Sequence, residues 1–232
     1  MQNAVLHQPA GNPQQADRHS ATLRINEIFL SIQGETSRVG LPTAFVRLTG
    51  CPLRCHYCDT AYAFDEGVSM TVAEVLDAVR ARQAPHVTVT GGEPLAQKNC
   101  LGLLALLCDE GYQVSLETGG ALDVSAVDTR VMKIVDIKTP GSGEEAKNRY
   151  ENLDWLRAHD QIKFVIRDRR DYEWATEMLR ARRLNETCEV LYSPSHGELP
   201  AATLADWILA DVLPVRLQIQ LHKYLWGDVR GK

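Results

Sequence analysis

Three things are scarce in this 232-residue chain, and each scarcity removes a class of protein. No apolar run approaches the roughly 20 residues that a helix needs to cross a bilayer, which argues against a membrane partner. An excess of cations is missing: the formal net charge is −5 and the pI about 5.8, the opposite of the basic surface that takes a nucleic-acid partner. Cysteines number only six, too few for the disulfide framework of a small secreted scaffold. Residues 1–22 are rich in Gln, Asn, Pro and Ala and lack a hydrophobic signal core. A disordered extension is expected there, followed by a single domain over 23–232 in the reducing cytoplasm.

What is present is 44% hydrophobic content, enough for one sizeable core. Short β-branched runs alternate with amphipathic stretches. The strand candidates are Arg24–Ser31, Thr43–Leu48, His86–Thr90, Gln113–Glu117, Met132–Ile137, Gln161–Ile166, Glu189–Tyr192 and Val215–Gln220. Thr71-Val-Ala-Glu74 reads as a capping box opening a helix whose apolar face is Val72, Val75, Leu76 and Val79. Leu101 to Cys108, Tyr172 to Arg183 and Thr203 to Leu209 read as further helices, and Gly111 as a helix C-terminal glycine. Alternation of this kind predicts an α/β fold with a mostly parallel sheet. Polar groups follow directly after the strands, where a barrel active site is built: Thr90 to Glu93, Glu117 to Gly120, Asp136-Ile137-Lys138, Arg167, Ser193 to His196 and His222-Lys223.

The densest chemistry is Cys51-x3-Cys55-x2-Cys58. Three thiolates in one short loop suit a four-iron cluster with one iron left open, since fully ligated electron-transfer clusters generally use four cysteines. A structural zinc with His56 as fourth ligand is the open alternative on spacing alone. Cys100, Cys108 and Cys188 sit in apolar runs and read as small hydrophobes. Gly91-Gly92-Glu93 ends a buried strand; its glycines allow close backbone approach to a ligand, and Glu93 can accept from an amine. Gln33 and Glu35 can read the donor and acceptor edge of a heterocycle, Arg47 can clamp a carboxylate, and Thr60 offers an oxygen to a hard cation. Each of these polar residues also has an ordinary reading as a turn, a cap or a solvated side chain.

Taken together, Cys51-x3-Cys55-x2-Cys58 and the strand ending in Gly91-Gly92-Glu93-Pro94 resemble the radical S-adenosylmethionine superfamily. Four further stretches, Glu27 to Glu35, Phe45 to Cys51, Cys58-Asp59-Thr60 and His222-Lys223-Tyr224, resemble the 7-carboxy-7-deazaguanine synthase family within it. The resemblance implies an incomplete TIM-like β/α barrel of about six parallel strands and a homodimer. It implies a [4Fe-4S] cluster on Cys51, Cys55 and Cys58, with S-adenosylmethionine on its open iron. Gly92, Asp136, Ile137 and Lys138 would line that cosubstrate, with Ser193, Pro194, Ser195 and His196 on its far side. Ile32, Gln33, Gly34, Arg47 and Thr90 match positions that hold a pterin substrate, and Thr60 matches a Mg2+ ligand. The implied activity is a lyase reaction that contracts 6-carboxy-5,6,7,8-tetrahydropterin to 7-carboxy-7-deazaguanine with loss of ammonia, driven by a flavodoxin-like or other low-potential reductant. Thr36 stands where the family usually carries glycine, and Asp136-Ile137 where it often carries Ser-Pro. A glycyl-radical activating enzyme is the rival within the superfamily, against which Gln33, Arg47 and His222-Lys223-Tyr224 weigh.

Overall fold

The computed structural model describes residues 18–232. The expected extension therefore falls, for residues 1–17, outside the described residues. Among the described residues nine strands form one sheet: β1 (Thr22–Ile32), β2 (Pro42–Leu48), β3 (Val68–Thr71), β4 (His86–Gly91), β5 (Gln113–Thr118), β6 (Met132–Asp136), β7 (Gln161–Ile166), β8 (Glu189–Pro194) and β9 (Arg216–Leu217). Their order is β3-β1-β2-β4-β5-β6-β7-β8-β9. From β2 through β9 every adjacent pair is parallel. Six of these strands are of full length and the last has two residues, so the architecture is the incomplete β/α barrel expected.

The helices are α1 (Val72–Arg80), α2 (Cys100–Asp109), α3 (Arg169–Arg182), α4 (Ala201–Ala210) and α5 (Leu221–Trp226). The capping box forms as read: Thr71 Oγ1 accepts from Glu74 N, Glu74 Oε2 accepts from Thr71 N, and Val72, Val75, Leu76 and Val79 are buried. Gly111, just past α2, adopts φ +86°, the left-handed geometry that ends helices. Helix α3 starts three residues before the expected Tyr172. Asp168 caps it by accepting from the backbone N–H groups of Arg170 and Asp171.

Two departures from expectation shape the site. The first is that β1 runs antiparallel to β2 rather than forming a parallel βα unit, and the unexpected strand β3 pairs antiparallel on its other side. The C-terminal end of β1 therefore lies at the opposite end of the sheet from the carboxyl ends of the parallel strands. The loop that follows turns beneath the interior. Arg38 Nη1 donates to the carbonyl of Gln113 at the start of β5, and Ser37 N donates to the side chain of Gln161 at the start of β7. Gln33, Gly34 and Glu35 thus form a floor of the interior. The second departure is that the run Val215–Gln220 yields only Arg216–Leu217 as strand. Beyond it the backbone turns inward, with Leu221 N donating to Gly34 O, which draws the last element against the first loop and narrows the open side of the barrel.

Candidate active site

One cavity of about 700 Å3 fills the upper barrel, and all three motif cysteines line it. Gly92, Asp136, Lys138, Ser193, Pro194, Ser195 and His196 face the same space, as do Ile32, Gln33, Gly34, Arg47, Thr90 and Thr60. Ile137 does not. Alternation along the chain turns Asp136 and Lys138 inward and Ile137 outward, where it is 4% exposed within the apolar core.

The cysteine loop is held to the strand end by backbone fit. Glu93 N donates to Gly50 O at 2.7 Å. A Cβ on Gly92 would lie 2.0 Å from that carbonyl oxygen and 3.2 Å from Cys51 Cβ, so no side chain can stand there. Cys51 Sγ accepts from Leu53 N at 3.4 Å. Burial raises the pKa of both Cys51 and Cys55, and the Lys138 ammonium works against that rise. His56 lies exposed against Gly143, and no three His, Cys, Asp or Glu side chains among the described residues converge as a single-ion site. The donor set is three free thiols, which suits iron–sulfur ligation.

Glu93 is not where the sequence suggested it acts. Fully buried, it accepts from Leu95 N, Gly119 N and Thr118 Oγ1, so its carboxylate joins the ends of β4 and β5 and does not line the cavity. Two other polar atoms beside the cysteines are buried without a partner, the Tyr57 hydroxyl and Asp136 Oδ1. Orphaned groups of this kind are rare in native structures and fit a bound molecule with polar groups of its own.

Deeper in, the floor and walls form a charged network. Lys163 Nζ lies 2.7 Å from Glu35 Oε2 and 3.7 Å from Asp136 Oδ2, and Lys138 Nζ lies 3.0 Å from Asp136. Burial alone would lower the Lys163 and Lys138 pKa values; Glu35 and Asp136 reverse this for Lys163, and Asp136 for Lys138, so both stay charged. Burial would likewise raise the Glu35 pKa, but Lys163 holds it below the usual carboxylate value. Glu117 is pushed up, by burial and then by the Glu35 charge. Gln33 Nε2 donates to Thr88 Oγ1 and to Glu117 Oε1, and Thr90 Oγ1 donates to Glu117 Oε2. Arg47 on β2 donates from Nε to Glu27 Oε1 at 2.7 Å, beside the stacked rings of Phe29 and Phe45. Thr60 caps no helix with its hydroxyl, which lies 4.0 Å from Cys58 Sγ and faces the cavity. At the open side His222 presses on Gly34, where a Cβ would meet its Nδ1 at 2.0 Å, and Lys223 pairs with Asp59 at 2.9 Å.

A family model described as the Radical SAM superfamily matches residues 45–181. A protein of Chlorobaculum tepidum named 7-carboxy-7-deazaguanine synthase is 47% identical over 215 residues, spanning 91% of this chain and 98% of its own length. The chain belongs to that family. A 7-carboxy-7-deazaguanine synthase of Koribacter versatilis is 44% identical over 220 residues, covering 88% of this chain and 97% of its own. The crystal structure of QueE from Escherichia coli shares the fold, with a TM-score of 0.75 over 92% of this chain and 100% of that one at 23% identity. Membership of the radical SAM superfamily brings a [4Fe-4S] cluster and S-adenosylmethionine as cofactors, and the thiol loop, the Gly92 cradle and the orphaned polar atoms fit them.

Sequence reasoning missed several residues of the 7-carboxy-7-deazaguanine synthase site. Lys163 is the clearest: a cation in the otherwise apolar centre of Gln161-Ile-Lys-Phe-Val-Ile is a signal that an inward position of a buried strand must have a partner. Glu27 and Asp59 gave no such signal, because their roles depend on chains that meet only in the fold. Arg167, also at a strand end, reaches Glu198 and the Gly141 carbonyl and does not line the cavity.

Proposed function

We propose that this chain converts 6-carboxy-5,6,7,8-tetrahydropterin to 7-carboxy-7-deazaguanine with release of ammonia. The observation that carries the reading is a single cavity joining a three-thiol loop to amide, carboxylate and guanidinium groups on its floor and wall. Cys51, Cys55 and Cys58 would hold the cluster. Gly92, Asp136, Lys138 and Ser193 to His196 would hold S-adenosylmethionine by side chain or backbone, and Ile137 through its backbone alone. Held by these residues, the cofactors would supply one-electron, hydrogen-abstracting chemistry to the pterin.

The chain's own residues bind and orient. Gln33 and Glu117 present an amide and a carboxyl group to the donor and acceptor edge of the ring. Thr90 fixes Glu117, Ile32 and Gly34 lie flat beneath the ring, and Arg47 takes the substrate carboxylate. The Glu35–Lys163–Asp136–Lys138 network is already paired before substrate arrives, so its charges need little reorganisation during the reaction. Thr60 would hold a Mg2+ ion, which would supply Lewis-acid chemistry at the substrate. A low-potential one-electron donor is the required protein partner. Exposed Leu217, Ile219, Tyr224 and Leu225 support a homodimer contact. No helix among the described residues is long and apolar enough to cross a membrane, and six free thiols suit the cytoplasm.

The test is anaerobic reconstitution followed by the pterin, S-adenosylmethionine and a chemical reductant. Ammonia and the deazapurine should appear in equal amounts. Protein with a full cluster that cleaves S-adenosylmethionine but leaves the pterin intact would overturn the substrate assignment.

A further inference from the structure

Residues 227–232 follow α5 and fold back beside the cavity, where Asp228 and Lys232 join its lining. Arg230 fastens this segment. Its Nη1 donates to Glu66 Oε2 at 2.8 Å, Nη2 to Asn26 Oδ1 at 3.0 Å and Nε to Glu27 Oε2 at 3.4 Å. The guanidinium also lies over the Tyr62 ring, 4.2 Å from its centroid, a favourable cation–π placement. All four partners belong to β1 or to the stretch just after the cysteine loop.

Glu27 is the centre of this arrangement. While Oε2 faces Arg230, Oε1 accepts from Arg47 Nε at 2.7 Å and from the Tyr62 hydroxyl at 2.9 Å. The register of β1 against β2 shifts between Ile25 and Glu27, and a bulge of this kind re-aims the side chain beside it. The Glu27 side chain is 14% exposed. Because its Nε is held by Glu27, Arg47 keeps its outer Nη1/Nη2 edge for a ligand in the cavity, the edge that grips a carboxylate in two-point fashion.

We propose that Glu27 and Arg230 are positioning residues that fix Arg47 in its carboxylate-binding orientation, so that seating of residues 227–232 is linked to recognition of the substrate carboxylate. This rests on Arg47 being the carboxylate clamp. Linkage is reciprocal: a carboxylated ligand tightens the segment, and a loosened segment weakens that ligand. Arg230 is about half exposed, so its effect is modest, whereas loss of the more buried Glu27 carboxylate acts directly on Arg47.

The experiment uses holoenzyme loaded with cluster and S-adenosylmethionine and given no reductant, so binding is read without turnover. Dissociation constants are measured for 6-carboxytetrahydropterin and for the same pterin without its carboxyl group. Arg230→Met should weaken the carboxylated ligand about fivefold, the range of an exposed ion pair, and leave the other ligand unchanged. Arg230→Lys should recover part of the loss, and Glu27→Gln should exceed it. In an Arg47→Met background, Arg230→Met should add nothing. Amide exchange in residues 227–231 should slow only with the carboxylated ligand. Equal weakening of both ligands by Arg230→Met, or a full effect that persists without Arg47, would overturn the linkage while leaving the clamp intact. If Arg47→Met itself keeps the preference for the carboxylated ligand, the clamp reading fails and the linkage fails with it.

Discussion

Among single residues the three cysteines and Glu93 show two ways in which a side chain serves this site. Cys55 lines the cavity on a loop with Cys51 and Cys58, and a three-thiol set has no spare ligand. Cys55→Ala should therefore purify without stoichiometric iron and sulfide after reconstitution, and a brown variant with a full complement would remove Cys55 from the ligand set. Thr60 belongs to the same scale. Its hydroxyl makes no capping bond, so Thr60→Ala should lose magnesium stimulation of turnover and keep its fold; unchanged magnesium dependence would take Thr60 out of the site. Glu93 acts structurally. Removing its carboxylate strands two backbone N–H groups and the Thr118 hydroxyl in the interior, and unsatisfied buried donors cost about 1–3 kcal/mol each. Glu93→Ala should lower unfolding free energy by about 3 kcal/mol in urea titration even after water enters, and a loss below about 1 kcal/mol would contradict the brace. The motif was legible in the sequence. The direction of its carboxylate was not, because Thr118 and Gly119 are 25 residues or more away and meet it only through the parallel pairing of β4 with β5.

For the elements, the loop between β1 and β2 departs most from expectation. Its reversal follows from the antiparallel pairing, and its tightness is written into Thr36, which adopts φ +68° while 1% exposed. A β-branched residue in the left-handed region is strained, and glycine at this position would avoid that strain. Thr36 Oγ1 gives something back by accepting from Arg38 N at 3.1 Å. Asn tolerates positive φ and can accept from the same N–H two residues on. Thr36→Asn should raise stability by up to about 1 kcal/mol, measured as a higher urea midpoint at unchanged slope; a destabilised variant would show that the buried methyl outweighs the backbone strain.

Across the whole molecule, the groups that line the cavity are distinct from a buried charge pair outside its lining. The carboxyl ends and the floor loop carry the cavity, while the amino ends of β6 and β7 carry a buried ion pair. Lys133 Nζ lies 2.9 Å from Asp160 Oδ2, and the same carboxylate accepts from Lys133 N and Arg157 N. Both side chains are almost fully buried. Breaking one partner of a buried pair leaves an uncompensated charge and costs about 3–5 kcal/mol. Asp160→Ala should lose that much stability and retain an unchanged KM for the pterin, because neither Asp160 nor Lys133 lines the cavity. A raised KM with little loss of stability would show that the pair serves the site and not the fold.

The sequence by itself determined the thiol spacing, the glycine cradle at Gly92, the capping box at Thr71 and the short β-branched runs of the parallel strands. All of these are local, since each depends on residues within one loop, one helix turn or one strand. Only the tertiary structure decided that β1 runs backwards, that Gln33 and Glu35 rise from the floor, that Glu93 turns away from the cavity, and that Lys163, Asp59 and Glu27 find their partners. Glu35 and Lys163 are separated by 128 residues, and Arg230 and Glu27 by 203. Charged groups so far apart in sequence acquire a partner, and a perturbed charge where they are buried, only once the sheet has curled and brought its two ends together.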